Sequence, residues 1–183
     1  IVDMNSTLIL YYSNTGSNAY LAQQFAAHLP ADLEEIKPRF ANLAFLITVS
    51  LLGLPFRVRK VKHEVAQYTK VLFCGPIWLG QLIYPLKAAM KKYRGDCDQF
   101  YFVTCCGSSD NDKDGMGYQR VFEKARKILK EKLIACQAFP IDLVLPEIEK
   151  DNEEIKMKTR LSDANFNGPV KERLIEFVDE MQR

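Results

Sequence analysis

Apolar residues fall in short blocks separated by polar, turn-forming stretches, and two spacings alternate along the chain. Leu8 to Tyr12 is a near-continuous apolar run, as a parallel strand covered on both faces requires. Val71–Cys74 and Phe100–Cys105 read the same way, and Ala138–Leu145 makes a further strand candidate. Leu33–Ile36 is half polar, which suits an edge strand. Between these runs the apolar period lengthens to three and four. One set is Leu21, Ala22, Phe25, Ala26 and Leu29, and a second is Leu86, Ala89, Met90 and Tyr93. A third is Val121, Phe122, Ala125, Ile128 and Leu129, and a fourth is Val170, Leu174, Phe177, Val178 and Met181. Each marks the inward face of a helix. Pro30 and Gly95 close the first two, the third is predicted over Tyr118–Leu133, and Gly168-Pro169 opens the fourth.

Strands alternating with helices predict a single α/β domain over residues 1–183, with a five-stranded, mainly parallel sheet. The first strand is among the most apolar and the second is the most polar. The order 2-1-3-4-5 places the one inside and the other at the edge. In that order ligands bind beyond the carboxyl ends of strands one, three and four.

Two stretches interrupt the alternation. Residues 38–57 carry an apolar core from Leu43 to Leu52, too short to span a bilayer and closed by Gly53 and Pro55. It reads as an inserted helix that is either buried or presented to a partner, a second copy of the chain included. Residues 147–167 form a charged connection, longer than usual in a compact domain, which is either an extra helix or a mobile segment.

Composition changes this picture little. At 183 residues and 48% hydrophobic the chain can bury a sizeable core. A net charge of +2 argues for neither nucleic acid nor an anionic membrane. The basic run Arg57–His63 reads as a solvated face, with docking of an acidic partner as the alternative. Five cysteines, two of them adjacent at Cys105-Cys106, suit a reducing, cytoplasmic setting. No signal-peptide pattern is visible, and an opening Ile1-Val2 in place of Met leaves room for a few preceding residues.

Candidate chemistry gathers after the three strands named above. Ser13, Asn14, Thr15, Gly16, Ser17 and Asn18 join the first strand to the first helix. Such a turn aims backbone N–H groups and the positive helix end at one point, an anion site. No Lys or Arg occurs before Lys37, so the lysine of a nucleoside-triphosphate loop is missing. Gly16 stands alone, so the dinucleotide fingerprint is missing too. One terminal phosphate held by neutral donors fits better. A helix cap with no ligand is the plain alternative for the same residues. After strand three, Gly75, Pro76, Ile77, Trp78, Leu79 and Gly80 form a constrained loop around the only tryptophan. Trp78 is either a core aromatic or a stacking wall for a flat ring. After strand four, Thr104, Cys105, Cys106 and Gly107 lead into a polar loop. Its Asp110, Asp112 and Asp114 miss the calcium-loop pattern, since Val121 occupies the glutamate position, so no metal site is expected.

YYSNTGSNAYLA, GPIWLGQLIYPL and VTCCGSS together resemble the flavodoxin family, over most of the chain to residue 145 and the final helix. The resemblance implies a flavodoxin-like three-layer sandwich binding FMN. Residues 13–18 would hold the phosphate, Pro76–Gly80 would line one side of the isoalloxazine, and Thr104–Gly107 would offer backbone groups to its polar edge. Asn18 replaces the usual closing Thr or Ser, and the slightly basic charge departs from the acidic surface of typical flavodoxins. The implied function is an electron carrier serving a redox partner protein or a small acceptor. The alternative is an NAD(P)H-dependent FMN oxidoreductase acting on a quinone or similar acceptor. A phosphorylated receiver of the same topology is disfavoured, because Phe73-Cys74 and Tyr12-Ser13 stand where it needs acids.

Overall fold

A computed structural model describes residues 6–40, 42–54, 57–108 and 117–183. The main sheet holds β1 (Thr7–Tyr11), β2 (Ala31–Glu35), β3 (Lys70–Cys74), β6 (Gln99–Cys106) and β7 (Leu133–Pro140). Its order is β2-β1-β3-β6-β7, and every pairing is parallel. This is the predicted 2-1-3-4-5 arrangement.

Strand alternation divides the core into two layers. Leu8, Leu10, Val71, Phe73, Phe100 and Phe102 face one side. There they meet α2 (Leu43–Leu52), α3 (Tyr84–Tyr93) and α4 (Tyr118–Leu129) through Leu46, Leu86, Met90 and Phe122. Ile9, Leu72, Tyr101 and Val103 face the other side. There α1 (Ser17–His28) and α6 (Pro169–Gln182) bring Leu21, Phe25, Leu174 and Phe177. Phe25 is fully buried between Phe139 and Phe177, with centroids 5.8 and 6.0 Å away. Burying one such side chain stabilises by roughly 1.5–3 kcal/mol.

Three boundaries differ from the sequence reading. The helix predicted to Leu133 stops at Leu129, where Lys130 takes φ 56 and breaks it. The last strand consequently runs over Leu133–Pro140, five residues earlier than predicted, and residues 141–144 form a short 3₁₀ turn. The loop after β3 contains a hairpin, β4 (Ile77–Trp78) and β5 (Gln81–Leu82). Its tip, Leu79-Gly80, has positive φ at both positions (48° and 64°), as a tight hairpin turn requires. The acidic cluster at 110, 112 and 114 lies outside the described residues.

The insert is neither wholly buried nor wholly presented. Asn42 caps α2 by accepting from the Phe45 N–H at 3.1 Å. Leu46, Val49 and Ser50 are buried, while Leu43, Leu51 and Leu52 are exposed. Ser50 Oγ accepts from the Tyr84 N–H at 2.8 Å, fixing α2 to the start of α3. No helix among the described residues is long and apolar enough to cross a membrane.

Candidate functional site at the carboxyl edge of the sheet

The turn between β1 and α1 is built by its own residues. Ser13 Oγ accepts from the Gly16 N–H at 3.1 Å. Gly16, at φ 100, starts the helix from the left-handed region, where a side chain would be strained. The first helical hydrogen bond is Tyr20 N–H to Gly16 O, 2.9 Å. The N–H groups of Ser17, Asn18 and Ala19 precede it, and no side chain caps them. Gly75 lets the turn pack tightly: a Cβ there would lie 2.7 Å from Leu86 Cδ1 and 3.1 Å from the Tyr12 carbonyl oxygen.

The Asn18 side chain is engaged within the protein. Its Oδ1 accepts from the Cys105 N–H at 2.8 Å, and its Nδ2 donates to the Cys105 carbonyl at 3.0 Å. β3 ends at Cys74, opposite Val103, so Cys105 lies past the end of its neighbouring strand. The carboxamide replaces the missing strand and satisfies both backbone groups where no water reaches. A Ser or Thr hydroxyl could not bridge both.

Thr15, Ser17 and Asn18 line one cleft together with Pro76, Ile77, Cys105, Cys106 and Gly107. Its volume is about 210 Å³. The three strand-end segments therefore meet at one place. Ser13, Asn14 and Gly16 shape the turn but do not line the cleft, and neither do Trp78, Leu79 and Gly80. Trp78 is half-buried and stands edge-on to Tyr12, 6.4 Å between centroids. Lys124 bridges the hairpin, donating to the Gly80 carbonyl at 3.4 Å and to Gln81 Oε1. Thr104 is fully buried opposite Ala138 within the sheet and offers the cleft no side chain.

The cleft's other wall was missed in the sequence. It comes from the charged connection, where α5 (Glu153–Lys158) and the residues after it supply Lys156, Thr159 and Arg160. Asn152 Oδ1 caps α5 by accepting from the Glu154 and Ile155 N–H groups at 3.0 and 3.1 Å. The signal was present as Asn152 followed by two acids, an N-cap pattern. The segment is pinned to α1: Leu161 N–H donates to Ser17 Oγ at 3.2 Å, and Tyr20 Oη donates to Asp163 at 2.7 Å. Leu161 and Phe166 are buried against the same core.

Both cations here are held by the protein. The Lys156 side chain is 9% exposed, with Nζ 3.1 Å from Glu153 and 3.4 Å from Asp142. Burial opposes its charge, but the two carboxylates outweigh burial and raise its pKa. Arg160 folds Nη1 onto the carbonyls of Met157 and Thr159, at 2.6 and 2.8 Å.

None of the five cysteines is joined in a disulfide. Burial pushes the Cys105 thiol up to about 12 and the Cys74 thiol well above its ordinary range. Cys105 and Cys106 belong to opposite layers of the core, as strand alternation dictates, so they do not form a dithiol pair.

No family model matches the chain, and no curated protein matches it in sequence. Its fold is that of solved flavoproteins and flavodoxins. A flavoprotein from Lactobacillus acidophilus NCFM, solved in complex with FMN, superposes with a TM-score of 0.61 at 16% identity, covering 73% of this chain and 93% of that one. A flavodoxin from Streptococcus pneumonia TIGR4 superposes with a TM-score of 0.51 at 12% identity, covering 97% of each chain. The chain has the flavodoxin-like three-layer α/β fold.

Proposed function

We propose that this chain is an FMN-binding redox protein acting as an electron carrier. The observation that carries this reading is the meeting of three strand-end segments and an uncapped helix start in one cleft. Ser17, Asn18 and Ala19 would donate backbone N–H groups to the phosphate, with the hydroxyls of Thr15 and Ser17 beside them. Lys156 and Arg160 add positive charge on the far wall. The cleft is smaller than the roughly 300–1,000 Å³ that holds a whole drug-sized ligand. It accommodates the phosphate and its polyol chain, and leaves the ring to the segments Pro76–Gly80 and Cys106–Gly107 that border it.

When bound, FMN supplies one- and two-electron chemistry. The chain's residues bind and orient it. Asn18 holds the Cys105 backbone rigid at the cleft wall. Burial pushes the Cys105 thiol up to about 12, so it stands at the cleft wall as the neutral thiol. The two histidines lie elsewhere: His28 bonds the Gln24 carbonyl on α1, and His63 contacts Glu34, while the Glu153 carboxylate that lines the cleft is paired with Lys156. A carrier needs no dedicated acid or base. Five thiols outside any disulfide support a reducing compartment, the cytoplasm. The electron acceptor would be a partner protein or a small molecule.

The test is the visible absorption spectrum of the purified protein with added FMN, followed by NADH or NADPH. A bound-flavin spectrum without pyridine-nucleotide turnover is expected. Sustained turnover moves the chain to the reductase reading, and absence of flavin binding by folded protein overturns both.

A further inference from the structure

A groove of about 770 Å³ lies away from the cleft, between α2 and α3. Arg39, Arg57, Arg59 and Lys60 line it from the segments flanking α2. Lys87, Lys91 and Lys92 line it from α3. Among the described residues no acidic side chain lines it, and none of these seven cations pairs with a carboxylate. The whole chain is only +2, so seven cations in one groove leave the remainder net negative. Arg57, Arg59 and Lys60 of the basic run are exposed, as a solvated face requires, and they line this groove. Val58 and Val61 are buried beneath the run, and Glu34 clamps it by accepting from the Lys62 and His63 N–H groups at 2.6 and 3.0 Å. Lys87 and Lys91 stand four apart on α3, where like charges repel. Lys91 and Lys92 complement the last turn of α3, and Lys92 lies over the Tyr93 ring, but the repulsion among the seven remains, and an anion would relieve it.

Two further observations narrow the anion. Leu54, Val58, Tyr84 and Ala88 give the groove apolar surface. Its wall continues into an uncovered apolar knob at the end of α2: Leu51, Leu52 and Leu54 are 47%, 66% and 46% exposed. Gly53 links the two, since a Cβ there would lie 3.9 Å from Lys87 Nζ. A small soluble anion would fill the groove and leave the leucines in water. An acidic protein would use the cations without needing the leucines. An anionic bilayer takes both, with phosphate headgroups among the cations and leucines in the acyl region. We propose that this face docks the protein peripherally on an anionic phospholipid surface.

Flotation with vesicles tests it, and the readout needs no flavin. The full chain should float with phosphatidylcholine vesicles containing about a third phosphatidylglycerol and not with pure phosphatidylcholine. Lys87→Glu combined with Lys91→Glu should weaken binding by about a hundredfold or more. Leu52→Ser combined with Leu54→Ser should weaken it about tenfold. Lys91, Leu52 and Leu54 are exposed and Lys87 is half-buried, and circular dichroism should report unchanged folding of both variants. Failure of the folded wild type to float overturns the proposal. So does unchanged binding of the leucine variant, which would leave a charge-only contact suited to an acidic protein. Sedimentation velocity decides the remaining case: a dimer that the leucine variant dissociates means a second copy covers this face, and the proposal falls.

Discussion

The molecule has two cationic regions, and they are built in opposite ways. At the cleft, Lys156 and Arg160 are tied to carboxylates and carbonyls, and the neutral donors beside them sit in a hydrogen-bonded frame. In the α2–α3 groove, seven cations stand together with no carboxylate partner among the described residues. The first region is pre-organised at the expense of free charge: its cations offer a fixed, partly neutralised field. The second keeps its charge without carboxylate partners, on a backbone that Glu34 anchors. A cleft that must orient one small phosphate needs the former. A surface that must attract an extended anionic layer needs the latter.

Substitutions should separate the two. The largest effect is expected from Asn18→Ala, which leaves the Cys105 N–H and carbonyl buried without partners. A loss of about 2–6 kcal/mol is expected in urea unfolding, from two orphaned groups at roughly 1–3 kcal/mol each. Asn18→Thr should recover only part of it.

Glu34 comes next, because it anchors the groove's basic run. Burial opposes its charge, but the N–H groups of His63 and Lys62 and the His63 ring outweigh burial and lower its pKa below the ordinary 4.5. Its folded value is depressed, so its stabilisation is present above pH 4.5 and is lost as pH falls through the lower, folded value. Glu34→Ala should cost about 2 kcal/mol at neutral pH and flatten the acid limb of the stability profile.

Lys156→Ala should cost about 1–2 kcal/mol, since it strands the Asp142 carboxylate oxygen, which is buried and has no hydrogen-bond partner of its own. Lys87→Glu, in the groove, should stay within about 0.5 kcal/mol of wild type or stabilise slightly. A groove substitution as costly as the cleft ones would erase the contrast between the regions.

The sheet was legible in the sequence because strands buried on both faces leave unbroken apolar runs, as at Leu8–Tyr12 and Phe100–Cys105. The last strand was misplaced because Leu133–Gln137 follows a lysine-rich stretch that continues the helical period. Only the backbone break at Lys130, which no residue type announces, ends that helix. The three cleft segments were found because small and hydroxylated residues cluster after apolar runs. Their division of labour was not. Asn18 looks like a ligand donor in sequence, and only the early end of β3 shows why its amide is used internally. The Lys156–Arg160 wall was hidden for a similar reason, since its docking on Ser17 spans 144 positions. The groove's charge was masked by summation: a near-neutral chain can still place its cations on one face.

Titrating the purified protein with FMN and, separately, with riboflavin tests most directly whether the Ser13–Asn18 turn holds a phosphate. The two flavins differ in that phosphate. FMN should bind at least about a hundredfold more tightly, the roughly 3 kcal/mol expected of several charge-assisted hydrogen bonds. Equal affinities, or no binding of FMN by folded protein, would contradict the assignment of the cleft.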